Sequence, residues 1–565
     1  MSARGLLAAA LVLTACRPTP EPPVAPAHAR SPSGLEEPRR WLEALGLELR
    51  GGPLPVATVS EEEAAAELSR RSDALWPEDR VRNVLGLMWM MLGDGALGVD
   101  PQAVRAGMRL GATKPALAYY GRDRIAVIDK EAASLAPTPL LLTHELVHAY
   151  QDEQLPGGVF EALESSTSID ALATRQLTLE GHAEFVSMAA FLRGRTGSLD
   201  GLSPALFDPG AARLSSPSAA LVYERGALAM LQVYRRGGLD AVEALLREVP
   251  PSSEQLLHPA KLGRDAPTVI APPEIPGAQL VSSDTVGELT LRNLMSARIV
   301  DDTVLTPAAT GWDGDALLWY ETGDGLPMLV WRTVWDREED VEQFAAAWEA
   351  LGDPPAASCM LADGRRLDFV VLPPALTKEE AEAIAQALPV PPLPPTDGAA
   401  STADAEQQAL ADLATAFDVT DGTAHMRGTP IRVELPERWG VFHAHGVPFL
   451  RGPMKNGFGD NLIIAQTPNV MGFTLDDVAH ETVQQLRDVL GAQILREERL
   501  QVAGFEAWLL ESQGHEAGSQ LEMRQIRVVF FTDTHEVALT FSTVPTRWPT
   551  VGPIFARMID SLAPA

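Results

Sequence analysis

The run His144-Glu145-Leu146-Val147-His148 sets the tightest limit on how this chain can fold. It reads H-E-x-x-H, and positions four apart share one face of a helix, so a helical run brings both imidazoles to one point. The flanks demand burial: Leu140-Leu141-Leu142-Thr143 before it and Ala149-Tyr150 after it carry no charge. With 11 His and 76 acidic residues in 565, about 0.03 such matches arise by chance. The expectation is a buried helix that binds a metal through His144 and His148. Glu145 then stands beside the metal's open position, where it can take a proton from a water. The competing reading is a core helix with two satisfied histidines.

The N-terminal stretch reads as a processing signal. Arg4 supplies a positive charge, and Leu6 to Leu13 form an apolar run too short to span a bilayer. The following Leu13-Thr14-Ala15-Cys16 resembles the bacterial lipobox, which implies a signal peptide over 1–16 and a lipid anchor, palmitate included, on Cys16. A plain secretory signal that contains a Cys is the alternative. Arg rather than Asp at position 17 resembles Gram-negative lipoproteins sorted to the outer membrane, so the expected place is the bacterial cell envelope. Residues 17–38 are Pro- and Ala-rich and read as an extended tether. No later run is long and apolar enough for a membrane-spanning helix, and Val84 to Leu92 reads as a core helix. The second of the two cysteines, Cys359, is left without an intramolecular partner and reads as a small buried hydrophobe. The net charge of −31 argues against nucleic acid as a partner.

The expected fold class is α+β. Residues 39–275 read as mainly helical with a small sheet, 276–388 as an α+β extension, and 404–565 as an antiparallel sheet with packed helices. The Pro/Ala-rich run 389–403 reads as a linker. Ser60 with Glu63, Asp336 with Glu339, and Thr377 with Glu380 are expected to cap helices. Leu117 to Asp129 reads as two short strands around Gly121-Arg122-Asp123.

A catalytic zinc usually takes three protein ligands, so a third is sought downstream. Leu179-Glu180-Gly181-His182-Ala183-Glu184 offers Glu180 as ligand, with Glu184 on the same helical face. Glu184 could accept a hydrogen bond from a ligand imidazole and fix its tautomer. His182 is the rival ligand, although it points away from the Glu180/Glu184 face.

The pattern His144-Glu145-x-x-His148 followed by Glu180-x-x-x-Glu184 resembles the gluzincin metallopeptidases, with Glu replacing the usual Asp at 184. A group of predicted zinc-dependent proteases of bacteria and archaea is also similar. The likeness rests on HELVHAYQDEQ from His144, on Glu180-Gly181-His182-Ala183, on Pro251 to Pro259 (PSSEQLLHP), and on Gly311-Trp312-Asp313-Gly314-Asp315. It covers roughly 50–390. It implies a zincin-like fold, one Zn2+ per chain, a peptide or protein substrate, and an edge strand near Ile125 to Ile128 that can pair with an extended peptide. His258, Tyr223 and Arg225 are the candidates for holding the oxyanion.

Residues 425–565, opening with a strand and Leu435-Pro436-Glu437-Arg438-Trp439, resemble the PsbP-like/Mog1-like sandwich of many bacterial lipoproteins. That implies a module that binds a protein partner or scaffolds. His443-Ala444-His445 shares a strand face but reads as a solvated pair. The functional reading is a membrane-anchored zinc metallopeptidase with a Glu145-activated water. The alternative is a cell-envelope binding or assembly lipoprotein whose zincin domain is degenerate or structural.

Overall fold

The protein is described here by a computed structural model. It covers residues 34–565 apart from 53, 114–117, 130–138, 208–216, 259, 297, 300–301, 352–353, 391–415, 445–446, 456–457, 470–471, 485, 488–491 and 516–520. Cys16 and the lipobox, residues 17–33 of the tether, residues 391–403 of the linker, and His445 lie outside the described residues.

The first part is mainly helical. α1 (Glu36–Ala44) precedes β1 (Val56–Ser60), which runs directly into α2 (Glu61–Leu75). Ser60 caps α2 by accepting from the Glu63 amide at 3.1 Å. Only half of the expected capping box forms, because the Glu63 carboxylate pairs with Arg124 at 2.8 Å. Next come α3 (Glu78–Leu92), α4 (Pro101–Thr113), β2 (Ala118–Tyr120) and β3 (Ile125–Asp129). The H-E-x-x-H helix is α5 (Pro139–Gln154), followed by α6 (Gly158–Glu164) and the long α7 (Ile169–Thr196). α8 (Pro217–Arg247) breaks at Gly237 and Gly238, and α9 (Ser253–Leu257) is one short turn.

The small sheet has the order β1-β3-β2. Ile125–Asp129 is therefore its middle strand, not an edge. Val56–Ser60 pairs with it in parallel and β2 pairs antiparallel on the other side. One face packs on α2 through Val59, Tyr119, Ala126 and Ile128, and the other turns Tyr120 and Ile125 toward α5.

The second part is an antiparallel sheet with helices. β4 (Ala278–Asp284) leads to α10 (Glu288–Ser296), α11 (Asp302–Ala309), β5 (Trp312–Thr322) and β6 (Pro327–Trp335). α12 (Glu338–Glu349), β7 (Ala357–Asp363), β8 (Arg366–Leu372) and α13 (Lys378–Ala387) complete it. The strand order is β4-β5-β6-β8-β7. Alternation decides the faces: Leu317, Leu329 and Trp331 join one core with α3 and α12, while Leu318, Val330 and Val370 join another with α13. The helical part and this sheet thus share a hydrophobic core. Cys359 is half-buried on β7. Thr377 and Glu380 make a complete capping box. Asp336 does not cap α12; it pairs with the buried Lys261 at 2.6 Å, and Arg337 takes the cap position without a side-chain bond.

The third part holds β9 (Phe417–Thr420), β10 (Thr423–Met426), β11 (Ile431–Glu434), β12 (Gly440–Ala444), β13 (Val447–Arg451) and β14 (Asn461–Pro468). Then follow α14 (Leu475–Gln484), β15 (Gln493–Val502), β16 (Phe505–His515), β17 (Glu522–Phe531), β18 (His535–Thr543), α15 (Trp548–Asp560) and β19 (Ala563–Pro564). A seven-stranded antiparallel sheet, β12-β13-β14-β18-β17-β16-β15, packs α15 and the small sheet β19-β11-β10-β9 on one face and α14 on the other. Among the described residues no helix is long and apolar enough to cross a membrane.

The two motifs at 251–259 and 311–315 meet where α7 enters the shared core. Ser253 donates its amide to Asp170 at 3.2 Å. Asp284 accepts from the Ile169 and Thr285 amides at 2.8 Å. Asp315 accepts from the Val286 and Gly287 amides at 2.8 and 2.9 Å, and from Trp312 Nε1 at 2.9 Å. Gly287 has φ +77°, and a Cβ there would collide with Asp170. Burial pushes Asp170 up to about 7 and Asp315 to about 6.

A carboxyl whose pKa is raised on folding binds its proton more tightly in the folded chain, so stability rises as pH falls below the folded pKa. We expect the unfolding free energy to rise as pH falls from about 8 to about 6, by up to about 1.4 kcal/mol per pH unit for a buried group, and the Tm to climb with it. Asp170→Asn should flatten that slope in thermal scans. A wild-type Tm that is level or falls over this range contradicts the account.

Candidate metal centre

The centre is built from two helices that each contribute residues one turn apart. α5 presents His144 and His148, which are 6% and 7% exposed, and α7 presents Glu180 and Glu184, each 6% exposed. Glu180 Oε2 lies 3.4 Å from His144 Nε2 and 3.5 Å from His148 Nε2. The three ligand atoms all fall within 4.8 Å of one another. Donors about 2.0–2.2 Å from a tetrahedral zinc stand about 3.4 Å apart, so these side chains fit one such ion. Two imidazoles and a carboxylate are also a zinc-type donor set. Burial alone would raise the Glu180 pKa, but His148 and His144 outweigh it and hold the carboxyl below the ordinary carboxylate range.

Glu145 is fully buried on the same helix. Among the described residues its two carboxylate oxygens and Glu180 Oε2 accept no hydrogen bond. Buried polar atoms are normally satisfied, and exceptions mark strained or functional positions.

A chain of hydrogen bonds fixes the tautomer of His148. The Gln151 amide nitrogen donates to the Leu179 carbonyl at 2.8 Å, which orients the amide. Its oxygen, 2.8 Å from His148 Nδ1, can only accept. His148 therefore carries its proton on Nδ1 and turns the Nε2 lone pair toward Glu180. The Gln151 amide also reaches His182 Nδ1 at 3.1 Å, so His182 is protonated on Nε2, which donates to Glu243 Oε1 at 3.0 Å. Tyr150 donates to the other Glu243 oxygen at 2.8 Å. His182 is thus committed to this chain, and Glu180 is the residue brought to the histidine pair. Glu184 Oε2 stands 3.5 Å from His144 Nδ1.

The third helix at the centre is α8. A Cβ on Gly181 would lie 2.4 Å from the Gly226 Cα, and one on Gly226 would lie 2.5 Å from the Leu177 carbonyl. Backbone meets backbone there, which is why both positions are glycine. The close crossing carries Tyr223, one turn before Gly226, to the centre: its ring lies 6.0 Å from that of His144. Arg225 on the same helix is half-buried. His258 is engaged elsewhere, with Nε2 held by Glu288 at 2.8 and 2.9 Å. Gln151, three residues past His148, could be found from helical spacing alone. Glu243 carries no motif and comes into place only through packing.

Comparison with known proteins adds little to this geometry. A domain of unknown function (DUF8575) matches residues 277–371. No curated protein matches the chain. Cyanobacterial PsbP (CyanoP) from Synechocystis sp. PCC 6803 is similar at 18% identity, over 25% of this chain and 91% of that chain, with a TM-score of 0.21. PA94 of Pseudomonas aeruginosa, a protein of unknown function, is similar at 14% identity, over 26% and 97%, with a TM-score of 0.20. LpqN of Mycobacterium tuberculosis, described as involved in cell envelope biogenesis, is similar at 14% identity, over 24% and 86%, with a TM-score of 0.21. These scores are low, and the strand orders given above define the architecture.

Gln151→Ala should weaken zinc binding about 10–100-fold, and Glu243→Gln should weaken it less, because each loosens the hold on His148. Competition against a chromogenic chelator reads both. Wild-type affinity in Gln151→Ala would show that the chain does not support the ligand.

Proposed function

We propose that this protein is a zinc metallopeptidase. The observation that carries the reading is the convergence of His144, His148 and Glu180 beside the buried Glu145. Zinc on these three ligands would supply Lewis acidity toward the scissile carbonyl. Glu145 takes a proton from the attacking water and returns it to the leaving amine. Gln151 holds the His148 imidazole from behind at 2.8 Å, and Glu184 stands behind that of His144 at 3.5 Å. Tyr223, whose ring lies 6.0 Å from that of His144, would donate to the developing oxyanion, whereas His258 is held by Glu288.

On this reading residues 39–388 act as the catalytic body and 404–565 recruit a substrate or protein partner. A lipid on Cys16 would hold the protein in the bacterial envelope, at the outer membrane, where substrates are envelope or secreted proteins. A second reading, an envelope binding or assembly protein with a structural metal, is favoured by one observation. Glu184, where related peptidases carry Asp, stands at 3.5 Å from His144 Nδ1, which is long for a hydrogen bond.

The test is zinc content followed by cleavage. Purified protein lacking the signal segment should hold one zinc per chain and cut a mixed peptide library. Glu145→Gln should keep the zinc and lose about 10²–10⁴-fold in rate. Zinc without Glu145-dependent cleavage would favour the second reading, and a chain that takes up no zinc would end the metal site and the peptidase mechanism.

A further inference from the structure

The face of α5 that carries Glu145 continues through Ala149 to Asp152. β2 lies against that face: Tyr120 Oη donates to Asp152 Oδ2 at 3.0 Å. Two arginines gather at this point in a chain whose net charge is −31. Arg71, from α2, donates to the Tyr120 carbonyl at 2.9 Å and to Glu67 at 2.7 Å. Its guanidinium lies 4.3 Å from the Phe160 ring centre and 5.1 Å from that of Tyr119. Arg122 also lies over Phe160, at 5.0 Å. The Phe160 ring stacks on Tyr120, with centroids 6.2 Å apart.

Three further features single out this pair. Arg122 has φ +63°, a left-handed conformation that costs a non-glycine residue about 1–2 kcal/mol, in the turn right after Gly121. The Tyr120 hydroxyl, whose one proton is given to Asp152, also lies 3.0 Å from the Arg122 carbonyl. Strain of this kind is retained where a side chain must be presented in one place. Arg71 has only 22% of its side chain exposed. Among the described residues its Nη2 makes no hydrogen bond, and Glu67, its one carboxylate partner, is shared with Arg70. Burial lowers the Arg71 pKa to about 10, while the charges of Tyr119 and Glu145 pull it back up.

We propose that Arg71 and Arg122 form the specificity subsite of the centre and bind a carboxylate of the substrate, an acidic side chain or a free C-terminus. The proposal rests on the peptidase reading. Aromatic packing keeps Arg71 in place, its Nη2 remains to donate to a carboxylate oxygen, and Arg122 brings a second guanidinium for charge-assisted hydrogen bonds. The subsite lies on the Glu145 side of α5, where a carboxylate on the substrate would register the peptide against the base.

Binding is measured by fluorescence anisotropy on the zinc-loaded chain carrying Glu145→Gln, so that peptides are held without turnover. The peptides carry Glu or Gln at each position, each with a free or an amidated C-terminus. We expect carboxylate-bearing peptides to bind at least about tenfold tighter than their amide counterparts. Adding Arg71→Gln or Arg122→Gln should erase the difference and leave neutral amidated peptides unchanged. Preference for an internal Glu assigns the subsite to a side chain; preference for the free end assigns it to the C-terminus. Equal binding of acid and amide peptides, or a preference that survives Arg122→Gln in a folded chain, overturns the proposal. An equal loss for neutral and acidic peptides also overturns it and makes Arg71 a support of β2. Absence of any peptide binding in the parent would remove the peptidase reading along with it.

Discussion

Two carboxylates buried one turn apart on α7 face two histidines one turn apart on α5, and the surrounding helices are arranged around that encounter. A buried carboxylate is costly unless paired and hydrogen-bonded, and unpaired burial of Glu180 or Glu184 would destabilise the core by several kcal/mol. The imidazoles answer that charge, and a metal would answer it more fully. The encounter also explains the glycines. α8 must approach α7 backbone to backbone to bring Tyr223 beside His144, and only Gly181 and Gly226 permit it. Any larger residue there would push apart the helices that carry the ligand and the tyrosine.

Much of this was legible in the sequence because helical periodicity is a local rule. His144/His148 and Glu180/Glu184 are each four apart, and the two pairs meet as that spacing implies. The mixed helical and antiparallel architecture was likewise readable from runs of alternating and periodic apolar residues. What escaped depended on distant partners. Ile125–Asp129 reads as a hydrophobic strand, but its position in the sheet is set by Val56–Ser60, far upstream. The edge strand β15 carries an Arg-Glu-Glu-Arg run, and charge on an edge strand is a common guard against unwanted pairing. Asp336 looked like a helix cap, yet the buried Lys261 ammonium is a stronger partner than a helix-end amide.

The motifs at 251–259 and 311–315 show how a sequence signature can be structural while travelling with a catalytic one. Ser253, Asp170, Asp315 and Gly287 knit the entry of α7 to the sheet. α7 is also the helix that carries Glu180. The polar junction therefore sets the depth at which the third ligand meets the histidines, and it does so with carboxylates whose raised pKa values make the joint firmer in mild acid.

The central claim is that His144, His148 and Glu180 hold one zinc. X-ray absorption at the zinc edge of the purified protein tests it most directly. The account predicts a four-coordinate ion with two imidazole nitrogens and oxygen donors at about 2.0–2.2 Å, and one imidazole fewer in His148→Ala. Sulfur in the coordination shell, an ion surrounded by water alone, or a spectrum unchanged by His148→Ala would contradict it.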